Sequence, residues 1–247
     1  MNYHNTIARS KPRSRVAHRM EILEILETRE LMYTLLYFPF RGRAEAIRLL
    51  LHFLMIPFND VTIPFDKWLQ VKPTTPFGQV PVLKVDHNNE TYDIAQTTAI
   101  LRYIGNVHNM SGDNPLTNAF IDMYGEQIQD AITAVTPYFE AVIMKSGNPK
   151  ESWEELVFPN INGITGPIFE KVLSKNEFGF IVGDHLTWVD FHVAEFFHKI
   201  INSQKDDPDK DDDLLSQFPL IKKHHDMVFA LPSLQNYLKS KSQEYLL

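Results

Sequence analysis

The sequence predicts an α+β domain followed by an all-α domain. Three observations carry this expectation. Strand and helix signals alternate from Leu31 to about Val107. A cluster of turn formers, "NMSGDNP" from Asn109 to Pro115, then interrupts the pattern. Beyond it the strand signals stop and only helical periodicity continues. The expected division is a basic extension over 1–30, a sheet-bearing domain over 31–108, a linker over 109–116 and a helical domain over 117–247.

Taken in order, "LMYTLLYF" is a short, apolar, β-rich run and reads as a buried strand. Ala44, Ile47, Leu51 and Leu54 recur at steps of three and four, which marks a helix packed on one face. "FNDVTI" reads as a second strand and "VPVLKV" as a third. "ETYDI" is a fourth, reached through the polar turn Asp86-His87-Asn88-Asn89. "QTTAILRYIGNVH" returns to helical spacing through Ile100, Leu101 and Ile104. The order β-α-β then β-β-α implies a small sheet covered by helices. The second half reads as long helices over about Thr117–Met144, Ser152–Ser174, Thr187–Asn202 and Gln217–Phe229. Thr187 and Asp190 have the spacing of a capping-box variant, a folding element and not a site.

Composition narrows the function. The chain has 247 residues, 44% hydrophobic and 22% charged, with a net charge of -7. Five basic and no acidic residues lie in the first 19, so the body is strongly acidic, which argues against nucleic acid as a partner. The absence of cysteine excludes disulfides, thiolate metal sites and a cysteine nucleophile, and fits a cytoplasmic location. No apolar run reaches the ~18 residues of a membrane span. The basic extension shares composition with organellar presequences; Pro12 interrupts an early amphipathic helix, which favours a plain tail leading to a short helix over Met20–Glu30. The Asp-rich stretch Lys205–Asp213 lacks the ligand spacing of a calcium loop and reads as a solvated, self-repelling loop. No histidine set has metal spacing, so no metal is expected.

Three stretches bear chemistry. In "YFPFRGRAE", Tyr37 closes a buried strand just before a helix beginning near Arg43. A tyrosine there is ordinarily a core residue with a wet hydroxyl. Yet a helix N-terminus favours anions, and Arg41 and Arg43 add positive charge. In "PFGQVPVL", the glycine two residues before Val80–Pro81 suggests a tight bend and a cis bond, or else an ordinary turn. In "AQTTAILRYI", Thr97 reads as an N-cap, with free N–H groups that take either a carboxylate or no ligand.

In this order and spacing the three stretches, with Trp68 and Lys72 in "WLQVK", resemble the cytosolic glutathione transferases. The match is nearest to the sigma class, which includes glutathione-dependent prostaglandin D synthases. "IDMYGEQIQD" and "GDHLTWVDFHVAE" resemble two helical-domain segments of that family, and the resemblance spans Met32 to about Leu238. It implies a thioredoxin-like first domain and a detoxifying transferase that uses glutathione as co-substrate. Small apolar electrophiles are the other substrates, lipid peroxides are isomerised or reduced as a further activity, and the enzyme works as a cytoplasmic homodimer.

The resemblance also assigns roles. Tyr37 donates to the glutathione sulfur, with Arg43 supporting it. Phe38, Trp68, Lys72, Gly78, Gln79, Val80, Gln96 and Thr97 bind the tripeptide, and Asp130 reaches its ammonium group in a partner subunit. Thr97 stands where the family usually has serine. The competing expectation is a non-catalytic, crystallin-like relative on the same scaffold.

Overall fold

The computed structural model describes residues 31–204 and 214–241. The helix expected over Met20–Glu30 and the acidic stretch Lys205–Asp213 lie outside the described residues. Four strands form one mixed sheet in the order β2-β1-β3-β4. They are β1 (Met32–Tyr37), β2 (Phe58–Thr62), β3 (Val82–His87) and β4 (Glu90–Ala95). β1 runs parallel to β2, with Tyr37 opposite Thr62, and antiparallel to β3, with Leu36 opposite Val82. The β3–β4 hairpin turns on Asn88 and Asn89, both at positive φ, the backbone that matches strand twist in a two-residue turn.

The burial of β1 alternates, with Tyr33, Leu35 and Tyr37 inward. Helices α1 (Glu45–Phe53) and α2 (Thr97–Val107) cover the sheet. The sequence predicts α1 to be buried on one face. Instead Glu45 through Leu51 are all buried, because the helix is caught between the sheet and the helical half. The expected β-α-β-β-β-α order, a thioredoxin-like arrangement, is present. A short helical stretch over Phe65–Thr74, which periodicity did not reveal, links β2 to β3.

The second half is helical among the described residues. The long helix α3 (Pro115–Ile143) starts on Asn114, whose side chain accepts from the N–H groups of Leu116 and Thr117. Helical backbone then runs through Pro149–Ser174 and widens into π turns at Trp153–Val157 and Ile161–Thr165. Pro159 and Pro167 follow those turns; each lacks the N–H that a regular helix needs, and the wider turn accommodates the loss. The regular part of this run that ends it is α4 (Gly166–Ser174). α5 (Trp188–Gln204) is the core of this half, burying Trp188, Val189, Phe191, Val193, Phe196, Phe197 and Ile200. Asp190 accepts from the N–H and hydroxyl of Thr187 and from the N–H of Ile181, and pairs with His224, so it fastens the start of α5. α6 (Pro219–Phe229) packs on α4 and α5. No helix among the described residues is long and apolar enough to cross a membrane.

Candidate functional site

The turn after β1 is the centre of the site. Tyr37 is buried and its hydroxyl oxygen accepts the backbone N–H of Arg43 at 2.9 Å. Gly42 makes this possible. Its φ is +45°, and a Cβ placed there would lie 2.3 Å from the Tyr37 hydroxyl. Burial pushes the Tyr37 pKa up, while the Arg43 N–H and the nearby Arg43 and Arg48 charges pull it back. The phenol therefore keeps its proton, and that proton has no acceptor among the described residues. A protonated phenol held by its oxygen is built to donate.

Arg41 does not lend its charge to this turn as the sequence predicts. It is buried beneath the turn, with Glu195 of α5 at 3.2 and 2.5 Å and Glu45 at 3.5 Å. Arg48 pairs with Glu45 and Asp60, and the Tyr237 hydroxyl donates to Glu45 at 2.7 Å. These opposite charges satisfy one another, as buried charges must. Arg43 alone of the two turns toward the cavities, its Nη2 donating to Thr136 of α3.

Two cavities meet at this turn, sharing Phe38, Arg43, Val80, Thr136 and Glu140. The polar one is about 540 Å³, lined also by Trp68, Gly78, Gln79, Pro81, Gln96 and Thr97 from the sheet half and by Gln129 and Thr133 of α3. The other is about 240 Å³ and mostly apolar, lined by Tyr37, Phe40, Ile132, Val135, Phe139, Ile143, Phe196 and Lys199. Val80–Pro81 is cis. Among the described residues the backbone N–H and C=O of Val80 have no protein partner, so a peptide-like ligand can pair with them.

The N-cap of α2 is Gln96, not Thr97 as the sequence predicts. Gln96 has φ +75°, a costly conformation for a side-chain-bearing residue. Thr97 opens the helix and lines the polar cavity, and its hydroxyl donates to the Arg43 carbonyl at 3.0 Å. A carboxylate is the ligand such a helix start favours. Lys72 is exposed beside Gly78. Asp130 is exposed on α3 and does not line this chain's own cavities; its neighbour Gln129 does. Asp122 and Glu126 precede Asp130 at steps of four on α3, and Arg102 binds them at 2.7 Å and 3.3 Å.

Sequence reasoning missed Gln129, Thr133, Thr136, Glu140 and Lys199. The first four form one stripe of α3, and their only signal was that helical spacing. The histidines are structural in placement: His192 is buried, and His198 and His225 are hydrogen-bonded and stacked with Phe229.

The polar cavity offers the free peptide groups of Val80 and a helix start, and the protonated phenol stands in the apolar cavity that adjoins it at Arg43; together these fit a thiol-bearing anionic peptide. Residues 33–106 match the glutathione S-transferase N-terminal domain, and residues 135–241 match its C-terminal domain. A probable glutathione S-transferase of Caenorhabditis elegans, gst-36, is 35% identical over 83% of this chain and 94% of its own length. Among solved structures, a monomeric glutathione S-transferase from the hookworm Necator americanus is 27% identical with a TM-score of 0.75, covering 86% of this chain and 98% of its own. A prostaglandin synthase D of Nilaparvata lugens is 28% identical with a TM-score of 0.69, covering 85% and 99%. The chain belongs to the glutathione S-transferase family.

Proposed function

We propose that the chain is a sigma-type glutathione transferase in which Tyr37 ionises glutathione and the thiolate attacks an electrophile held in the apolar cavity. The observation that carries this reading is the Tyr37 hydroxyl, fixed by the Arg43 N–H beside both cavities with its own proton available. A free thiol has a pKa of about 8.5, and a hydrogen bond to its anion lowers that value. Each pKa unit of lowering is worth about 1.4 kcal/mol. Arg43 adds a positive charge on the same side.

In this reading Val80 pairs with the cysteinyl backbone, and Gln79 and Gly78 shape the bend that presents it. Gln96 and the N–H of Thr97 take the γ-glutamyl carboxylate, while Trp68 and Lys72 meet the glycine end and Phe38 walls the junction. The apolar lining suits a lipid-like electrophile, and isomerisation of a lipid peroxide is the finer activity we assign, supported by the likeness to the Nilaparvata prostaglandin synthase. We further propose a cytoplasmic homodimer, divided at residues 109–116, in which Asp130 completes the partner's site.

The test is retention on a glutathione column, followed by conjugation assays and a lipid-peroxide substrate, with Tyr37→Phe in parallel. The variant should bind glutathione and lose ~10-fold or more in rate, since a lost donor to a developing anion costs at least ~1.4 kcal/mol. A variant as active as the parent would remove Tyr37 from the chemistry. Binding without turnover on any substrate would favour the crystallin-like alternative.

A further inference from the structure

Lys199 has no part in the reading above, yet it reaches the centre of the site. It lies on α5, is 7% exposed, and lines the apolar cavity. Its Nζ donates to the Gly42 carbonyl at 2.8 Å. The other end of that same peptide unit is the Arg43 N–H, which donates to the Tyr37 hydroxyl oxygen at 2.9 Å. Carbonyl and N–H are the two poles of one conjugated group, since the C–N bond between them has partial double-bond character. A cation on the carbonyl draws density toward the oxygen and leaves the N–H more acidic. A stronger N–H on the phenol oxygen makes the phenol O–H the better donor. Chained hydrogen bonds strengthen one another by about 10–30% per bond.

We propose that Lys199 is a positioning residue for the reaction: through the Gly42–Arg43 peptide it aims and polarises the Tyr37 hydroxyl as a donor to the glutathione sulfur. The inference rests on the reading of Tyr37 as that donor. The placement supports it. Among the described residues, the one hydrogen bond of the Lys199 amine goes to Gly42, although Glu195 lies on the same helix four residues earlier. Glu195 is held by Arg41 instead. The charged and titratable groups around the amine are Glu195, Arg41, Glu45, Arg43 and His192. Burial pushes the amine's pKa down and Glu195 pulls it back. The amine donates to Gly42 in either protonation state, more strongly as the ammonium. Gly42 presses the relay together, because its peptide lies against the phenol.

The experiment measures the ultraviolet absorbance of the bound thiolate against pH in the full chain, with glutathione affinity and with turnover of 1-chloro-2,4-dinitrobenzene. Lys199→Met should raise the bound thiol's pKa by about 0.5–1 unit, a ~3- to 10-fold smaller thiolate fraction below that pKa. Glutathione affinity should stay within ~2-fold, and the rate should recover at high pH. In a Tyr37→Phe background the lysine change should add nothing, because the relay ends at the phenol. An unmoved thiol pKa in Lys199→Met overturns the proposal, as does a full shift that persists without the phenol. If Tyr37→Phe itself leaves the thiol pKa unmoved, the reading of Tyr37 fails first; if it moves and Lys199→Met does not, only the relay fails. Lys199→Gln, neutral but still a donor, covers a methionine variant that does not fold. An intermediate shift supports the relay and an unmoved pKa overturns it.

Discussion

The two cavities that meet at Arg43 are built by different means. The sheet side of the polar one depends on backbone in unusual conformations: Gly78 at φ +63°, the cis bond at Val80–Pro81, Gln96 at φ +75°. The apolar one is made of side chains from Ile132, Val135, Phe139 and Ile143 on α3 and Phe196 and Lys199 on α5. A backbone-built cavity fixes its ligand, since peptide groups cannot be exchanged by point substitution. A side-chain-built cavity is open to change at each position. The first suits an invariant co-substrate and the second a variable electrophile.

The most severe test strikes the turn that both cavities share. Gly42→Val should remove nearly all turnover and lower the melting temperature. Its Cβ would meet the Tyr37 hydroxyl at 2.3 Å, in a backbone region that β-branched residues avoid. Thermal melts and conjugation rates check this, and a well-folded, active variant would contradict the geometry.

A change confined to one cavity should have a smaller and separable effect. Val135→Phe fills apolar space without touching the polar lining. Turnover of bulky electrophiles should fall by roughly 10-fold or more in kcat/KM, the discrimination a hydrophobic pocket exerts on a substrate it no longer fits, while glutathione affinity is unchanged. Loss of glutathione affinity in that variant would break the division between the two cavities.

The wall behind them has its own signature. His192 is fully buried, and burial, then Lys199 and Arg43, lower its pKa to about 3. The unfolded chain takes that proton near pH 6.5. Between these values the unfolded state binds more protons, so stability falls as pH is lowered from about 6.5 toward 3. The slope from this one group is at most about 1.4 kcal/mol per pH unit. Denaturant melts across that window should show the slope, and His192→Leu should flatten it.

The smallest effect concerns Asp130, exposed on α3. Asp130→Ala should weaken glutathione binding by no more than several-fold, since a partly exposed charge contact is worth about 1 kcal/mol or less. Saturated turnover should change little. Affinity, turnover and sedimentation measured together check this; unchanged affinity in an intact dimer would take Asp130 out of the site.

The same contrast decides what the sequence reveals. β1, the β3–β4 hairpin and α2 were legible because period-two and helical patterns, a polar turn and a strand-opening proline are local signals. The polar cavity's backbone bends sit on those signals. Thr136 had only its helical spacing with Gln129 and Thr133, and Lys199 follows Glu195 and His198 along its helix; neither pattern differs from that of a solvated face. Arg41 misled for a related reason. Its charge looked available, but its carboxylate partner Glu195 lies 154 positions further on. Pairing across that separation is a product of the fold, not of any local pattern. The shift of the N-cap from Thr97 to Gln96 goes with a contact that local propensity does not see: the Thr97 hydroxyl donates to the carbonyl of Arg43, 54 positions earlier in the chain.

The buried ion chain under the site turn bears on how the molecule is made. Arg41 and Glu45 leave the ribosome with the first strand and helix, but Glu195 and Tyr237 follow some 150 and 190 residues later. Until then the sheet half holds a guanidinium with an incomplete set of acceptors in a place meant to be dry. That half therefore reaches its final packing only when α5 has been synthesised and docked, so birth order and site assembly are joined. A stalled or truncated chain would expose a charged, half-formed turn, a mark by which quality control could tell an unfinished copy from a finished one.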